Sequence, residues 1–274
     1  MNRLLALTIC FVFVGVAAGQ DKPSSFSESL QQKYTWNVGT EISHIKYDEP
    51  GVMEEEGMMY GIVGSCTYRD WMLGSPKTPR KKRYMFRMEG KFSFGRVDYD
   101  GALTDGTPYT VSGVEDYMFE LRYLIGYDFP KTTNMSTPYI GIGYRYLNDD
   151  LSCDPLGYER ESNYIYFPMG IEHVTNLDNN WSCGLKGEFD ILIIGVQRSH
   201  LSDVHPLFED IENCQREGYG LRGSIKFQKK GKKVDWAIGP FIRYWDIAKS
   251  DVSHGGYEPK NNSTEYGIGV VAEF

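Results

Sequence analysis

The chain ends Tyr266-Gly-Ile-Gly-Val-Val-Ala-Glu-Phe274. Side chains of an extended strand alternate between its two faces. Tyr266, Ile268, Val270, Ala272 and Phe274 therefore share one face, apolar throughout and aromatic at both ends. Gly267, Gly269, Val271 and Glu273 share the other, which is small and carries one charge. A strand running to the last residue must be paired where it stops. It could belong to a soluble sandwich or to a sheet that faces lipid. The rest of the chain decides between them.

Working back from that stretch, nine earlier segments show related alternation. They are Tyr34–Lys46, Met58–Tyr68, Tyr84–Val97, Tyr117–Phe129, Tyr139–Tyr146, Tyr164–Val174, Trp181–Ile194, Tyr219–Gln228 and Trp236–Trp245. The fourth is the clearest. Tyr117, Phe119, Leu121, Tyr123, Ile125, Tyr127 and Phe129 alternate with Met118, Glu120, Arg122, Leu124, Gly126 and Asp128. An all-apolar face with aromatics at both ends is what lipid with two interfaces asks of a strand. Pro168 in the sixth segment predicts a bulge or kink there. The total of ten is even, as a barrel with both termini in the periplasm requires. The extracellular links are then Tyr47–Gly57, Asp98–Asp116, Leu147–Asn163, Gly195–Gly218 and Asp246–Thr264. The periplasmic ones are mostly shorter. The expected fold is all-β: a closed antiparallel transmembrane β-barrel of about ten strands, preceded by a signal peptide.

Composition agrees. The mean hydropathy is −0.42, yet the chain holds 20 Tyr and 30 Gly. A barrel spreads its apolar residues over alternate positions, so no hydropathy window finds them. The amino-terminus has Arg3, an apolar run Leu4–Val16 and the small residues Ala17-Ala18-Gly19, the pattern of a secretory leader. The expected organisation is a signal peptide at 1–19, a short periplasmic segment at 20–33 and a barrel at 34–274. The net charge of −8 and export argue against nucleic acid as a partner. Basic clusters in two periplasmic links, Lys77 to Arg83 and Lys229 to Lys233, are suited to anionic lipid heads or simply to water. Four Cys follow the leader, and none has zinc or redox spacing. A disulfide is expected between Cys153 and Cys214, in neighbouring outer loops, with Cys66 and Cys183 free.

The closing strand resembles that of bacterial outer-membrane β-barrels, and Pro138-Tyr-Ile-Gly-Ile-Gly-Tyr-Arg-Tyr146 is similar to strands of their small uncharacterised members. The resemblance implies residence in the outer membrane, contact with its lipid and lipopolysaccharide, and a monomeric state. It also implies that Phe274 is read by the barrel assembly machinery. The leading function is a structural or surface-interacting barrel acting through its extracellular loops, without enzymatic activity.

The inward positions carry both charge signs: Glu41, Arg87, Glu89, Lys91, Glu120, Arg122, Arg145, Glu172, Lys186, Glu188, Asp190, Arg222, Lys226, Arg243 and Glu273. A ten-strand ring encloses little more than its side chains fill, so these charges are expected to pair across the lumen. A narrow, porin-like solute channel is one alternative. The other rests on Asp98-Tyr-Asp100 in the second outer link and Asp203-Val-His205 in the fourth. These resemble the motifs of the omptin proteases, ten-stranded barrels of the outer membrane. That resemblance implies an aspartyl-type endopeptidase. His205 would be the general base, Asp203 its orienting partner, and Asp98 and Asp100 the opposing pair that positions a water. No cofactor or metal is expected. Asp149, Asp150 and Asp154 read as a solvated acidic loop rather than a Ca²⁺ site.

Overall fold

The alternation of the closing strand runs around a complete ring. The computed structural model describes residues 32–71, 83–103, 106–253 and 255–274. Its first seven strands are β1 (Tyr34–Glu49), β2 (Met53–Trp71), β3 (Arg83–Ala102), β4 (Pro108–Pro130), β5 (Asn134–Asp150), β6 (Glu159–Asn176) and β7 (Trp181–Ser199). They are followed by β8 (Ile211–Gln215), β9 (Gly218–Lys229), β10 (Asp235–Ile247) and β11 (Asn261–Glu273). Ring neighbours are antiparallel throughout, and β11 returns to pair with β1 from Asn37↔Glu273 to Asp48↔Asn262. Trp36 N donates to Phe274 O at 3.2 Å, and Phe274 N donates to Trp36 O at 2.9 Å. The barrel is thereby closed, with no unpaired edge facing the hydrocarbon.

β8 does not enlarge the ring. It pairs with the upper part of β7, Gly195↔Gln215 to Ser199↔Ile211, while β9 pairs with the lower part, Trp181↔Lys229 to Ile191↔Tyr219. Both follow one register, so β8 stands above β9 as its continuation, interrupted at Arg216 and Glu217. The barrel therefore has ten staves.

Its outer surface inverts the rule for soluble proteins. Val38, Ile42, Ile62, Phe86, Ile125, Ile140, Ile171, Leu185, Ile225, Ile238 and Ile268 are all exposed. Aromatic pairs bracket this belt. Tyr34–Tyr68, Tyr84–Tyr127 and Tyr127–Phe129 lie at the end that holds the termini. Tyr117–Tyr146 and Tyr219–Tyr244 lie at the loop end. A contiguous apolar surface of this kind is stable only in a bilayer, with the rings at its two interfaces.

The strands continue beyond the loop-end girdle, farther than their alternation predicts. Outward positions there are polar: Lys46, Asp48, Glu54, Glu56, Arg96 and Glu115. This cuff turns most of the expected extracellular links into strand. The link Tyr47–Gly57 shrinks to a turn between Glu49 and Met53. The bulge expected at Pro168 falls instead between Ile165 and Tyr166, opposite β7, and Pro168 itself stays in register with Asp190. Residues 1–31 and 72–82 lie outside the described part, so the leader, most of the segment 20–33, and Lys77, Arg80, Lys81 and Lys82 have no structural account.

One expectation is corrected. All four cysteines are free thiols. Cys214 faces outward from β8, opposite Val196 of β7. Cys153 sits in the β5–β6 turn, which Asp154 ties to β4 through the Tyr109 hydroxyl at 2.5 Å. The loops are neighbours in order, but the two sulfurs are held on different walls.

Candidate functional site

Two regions could carry function: the filled lumen and the loop-end rim. In the lumen, the inward charges meet as ion pairs. Arg222, on β9, is the hub. Its Nε donates to Asp190 Oδ2 at 2.6 Å, its Nη1 to Glu120 Oε2 at 2.8 Å, and its Nη2 to the Tyr166 hydroxyl at 3.1 Å. Arg122 bonds Glu89 at 2.9 Å and also Glu188, which accepts a further bond from the Tyr139 hydroxyl at 2.6 Å. Arg87 reaches Glu172 at 2.9 Å, Lys91 reaches Glu265 at 2.6 Å, and Arg243 reaches Glu41 at 2.8 Å. Arg122–Glu89 and Arg222–Asp190 join neighbouring strands, but Arg222–Glu120, Arg122–Glu188, Arg87–Glu172, Lys91–Glu265 and Arg243–Glu41 join strands that are not paired with each other, so the network braces the barrel across its bore.

The bracing closes one end. On the side of the termini a cavity of about 390 Å³ remains, lined by Asn37, Arg87, Lys186, Lys226 and Glu273 among others. Beyond the charge layer, toward the loops, the space between Met118, Arg145, Trp245 and Ser263 is about 20 Å³, room for about one water. Tyr166 and Trp245 meet edge-on there, with ring centroids 5.0 Å apart. Gly143 makes that packing possible, since a Cβ at this position would fall 2.1 Å from the Tyr166 ring.

At the rim, each bond recorded for Asp98, Asp203 and His205 goes to a backbone N–H outside the quartet. Asp98 and Asp100 are exposed on β3, alternating with the inward Val97 and the half-buried Tyr99. Asp98 Oδ1 accepts from Gly113 N at 3.0 Å, where the β3–β4 register shifts and Gly113 takes a φ of +74°. Its carboxylate caps the bulge between β3 and β4. Asp203 lies in a 3-10 turn, Leu201–Asp203, and its Oδ2 accepts from Glu159 N at 3.1 Å, tying the fourth outer loop to β6. His205 is exposed; its Nδ1 accepts from Leu207 N at 3.2 Å and its ring lies against Phe208. Among the described residues no hydrogen bond or ion pair joins Asp203 to His205, or either of them to Asp98 or Asp100.

The histidine held by carboxylates at this rim is one that motif reading passes over. His200, just after β7, has Nε2 3.3 Å from Glu161 Oε2 and Nδ1 3.3 Å from Asp210 Oδ2. Burial disfavours its charge, but the Glu161 hydrogen bond and the surrounding carboxylates outweigh that and raise its pKa. Bonded to Glu161 of β6 on one ring nitrogen and to Asp210 on the other, His200 ties its loop to the strand. Nothing in the sequence spacing marks His200, because its partners come from β6 and from the far side of its own loop.

A larger group that spacing could not reveal fills the bore at the cuff. Arg160 of β6 bonds Asp149 Oδ2 through Nη2 at 2.6 Å, Glu49 at 3.0 Å and Glu55 at 3.1 Å. Asp116 and Glu258 are buried beside them. These residues fall in segments where outward and inward positions are both polar, so the strand signal fades.

No family model matches the chain, and no curated protein matches it in sequence. Solved structures do match in fold. The outer membrane protease OmpT of Escherichia coli aligns over 89% of this chain and 97% of its own, with 7% identity and a TM-score of 0.53. Ail, the attachment invasion locus protein of Yersinia pestis, covers 89% of this chain and 100% of its own at 6% identity and a TM-score of 0.34. Neisserial surface protein A covers 87% and 97% at 11% identity and a TM-score of 0.32. The fold is that of the bacterial outer-membrane β-barrels, and its apolar belt is consistent with residence in that membrane.

Proposed function

We propose that this protein is a plugged outer-membrane barrel that works as a surface platform, presenting its loops outward rather than conducting solute. The observation that carries this reading is the bore itself: buried ion pairs and the Tyr166–Trp245 plug fill its loop-end half. The platform has material for contacts. Leu207 is 84% exposed, and Phe208, Val252 and Tyr257 are also bare at loop ends above an acidic cuff. The barrel acts as a monomer in lipid and lipopolysaccharide, and Phe274, fixed on Trp36, is the residue that the assembly machinery reads.

Planar bilayers test the reading. Refolded protein is expected to give no discrete conductance steps above an empty control. Regular openings would overturn the plugged lumen and move the function to a narrow channel.

A second reading keeps the rim chemistry. The neighbour of highest TM-score named above is a protease, and all four residues stand at the loop end, Asp98 and Asp100 on β3, Asp203 and His205 in the loop that follows β7. In this reading substrate draws the β7–β8 loop inward, His205 becomes the base and Asp203 orients it, while Asp98 and Asp100 position the water. A varied peptide set, offered with lipopolysaccharide present, would be cleaved by the native chain and spared by His205→Ala. Equal cleavage by both, or none by either, sinks it.

A further inference from the structure

The bore is filled toward the loops but hollow toward the termini. There the cavity of about 390 Å³ ends against Arg122 and Arg222 and runs out to Gln32 and Lys230 near the strand ends. That volume lies within the range of pockets that take small molecules, roughly 300–1,000 Å³. Its wall is charged and polar, so a ligand for it must be hydrophilic.

Two lysines decide the sign of that ligand. Lys186 of β7 and Lys226 of β9 both line the cavity. In the β7–β9 ladder Lys226 stands opposite Gly184 and Lys186 opposite Ser224, so the two side chains are diagonal neighbours on the inner wall. Neither ammonium has a close carboxylate. Lys186 Nζ is 3.5 Å from Glu89 Oε1 and 3.9 Å from Glu188 Oε2, and it lies 5.4 Å from the centroid of the Tyr139 ring. Lys226 Nζ is 3.8 Å from Glu273 Oε2. A charge-assisted N–H···O bond is about 2.7–2.9 Å long.

The carboxylates of the same wall are taken up by other donors. Glu89 accepts from Arg122 at 2.9 Å, Glu172 lies 2.9 Å from Arg87, and Glu273 accepts from Gln228 at 2.9 Å. Glu41 and Glu120 are held by Arg243 and Arg222, each at 2.8 Å, and Asp235 accepts from Gly231 N at 2.9 Å. Across the ring, Arg69 of β2 and Arg83 of β3 share the single carboxylate of Asp128, at 3.2 and 3.1 Å. The donors left over are therefore cationic. An uncharged acceptor is left over as well: Asn37 Nδ2 donates to Ser65 Oγ at 3.1 Å, but Asn37 Oδ1 is buried with no hydrogen-bond partner among the described residues.

We propose that this cavity is a binding site for a small phosphorylated solute, its phosphate held by Lys186 and Lys226 and its hydroxyl groups bonded to the uncharged polar wall. Lysine binds phosphate as a point charge on a flexible stem, and the several oxygens of one phosphate can accept from both side chains. Gly184 leaves room for that group, since a Cβ there would come no closer than 3.8 Å to Lys226. Asn37, Thr67, Ser182 and Ser224 supply the wall that suits a sugar or polyol. The site uses none of the loops on which the surface-platform reading rests, so its failure would leave that reading standing.

Isothermal titration calorimetry tests this on the full chain, refolded in micelles of a polyoxyethylene detergent that carries neither phosphate nor sugar. Glucose 6-phosphate is expected to bind saturably at a single site. Inorganic phosphate should bind about tenfold more weakly or worse, and glucose should not bind up to about 10 mM. Lys226→Gln and, separately, Gly184→Leu should each weaken glucose 6-phosphate by about tenfold or more. The first removes one ammonium; the second keeps both and fills the space beside them. Neither residue belongs to the pairs that brace the bore, so both variants retain the barrel. Absence of saturable glucose 6-phosphate binding up to about 10 mM overturns the site. So does glucose binding equally well, inorganic phosphate binding the more tightly, or an affinity unchanged in either variant.

Discussion

Arg222→Ala is expected to lower the unfolding free energy of the barrel by about 3–5 kcal/mol. The guanidinium is buried at the middle of the bore and bonded to Asp190, Glu120 and Tyr166, with Glu188 3.3 Å away. Its loss leaves Glu120 and Asp190 buried without that cation, with Arg122 already committed to Glu89 and Glu188. It also removes the cation lying over Tyr166 and Trp245, 5.3 and 5.8 Å from their ring centroids. Urea titration in phospholipid vesicles, followed by tryptophan fluorescence, measures the loss. A conservative rescue separates charge from packing. Arg222→Met combined with Glu120→Gln and Asp190→Asn should recover most of the stability, because an apolar or neutral replacement of a whole buried ion cluster is often neutral. A midpoint for Arg222→Ala equal to that of the native chain would show that the network does not brace the barrel.

The second large effect lies on the opposite face of the wall. Val270→Arg is expected to cost about 2–4 kcal/mol, the cost of a guanidinium near the midplane of a bilayer. Val270 sits on β11 between Thr40 and Ile238, halfway along the lipid-facing stretch from Tyr266 to Phe274. Thr264→Arg, on the same face but at the polar cuff, should cost about 0–1 kcal/mol. The same titration compares the two. Equal costs at both positions would mean that the face does not see a gradient from hydrocarbon to water, and the transmembrane assignment would fall with it.

These two predictions divide along the line between what a strand shows by itself and what the ring adds. Val270 was legible at once: alternation puts it with Tyr266, Ile268 and Phe274, and no partner need be known. The same holds for the belt from Tyr117 to Phe129 and for which charges point inward. Arg222 could be placed inside, but not at the hub, because Glu120 lies 102 positions away in the chain and meets it only when the sheet closes. At the rim the structure adds partners that the motifs do not show. Asp98 and Asp203 form motifs of the right kind, yet the closed structure uses each as a cap for backbone N–H groups. His200 and Arg160 sit in no motif at all, and it is they that gather the carboxylates.

The sequence by itself determined the class of fold, the faces of the strands and the place of the closing strand, because the bilayer imposes a period-two pattern on every segment that crosses it. It could not determine the cuff. Outside the bilayer, water lies on the outer face and polar side chains fill the inner one, so the alternation that marks a strand vanishes while the hydrogen-bonded ladder continues. Only the tertiary structure decided that the links from Tyr47 to Gly57 and from Leu147 to Asn163 are mostly wall. It also decided that Glu49, Glu55, Asp149 and Glu258 converge on one arginine. Ring closure brings five distant segments to a single point, and spacing along a chain carries no record of that convergence.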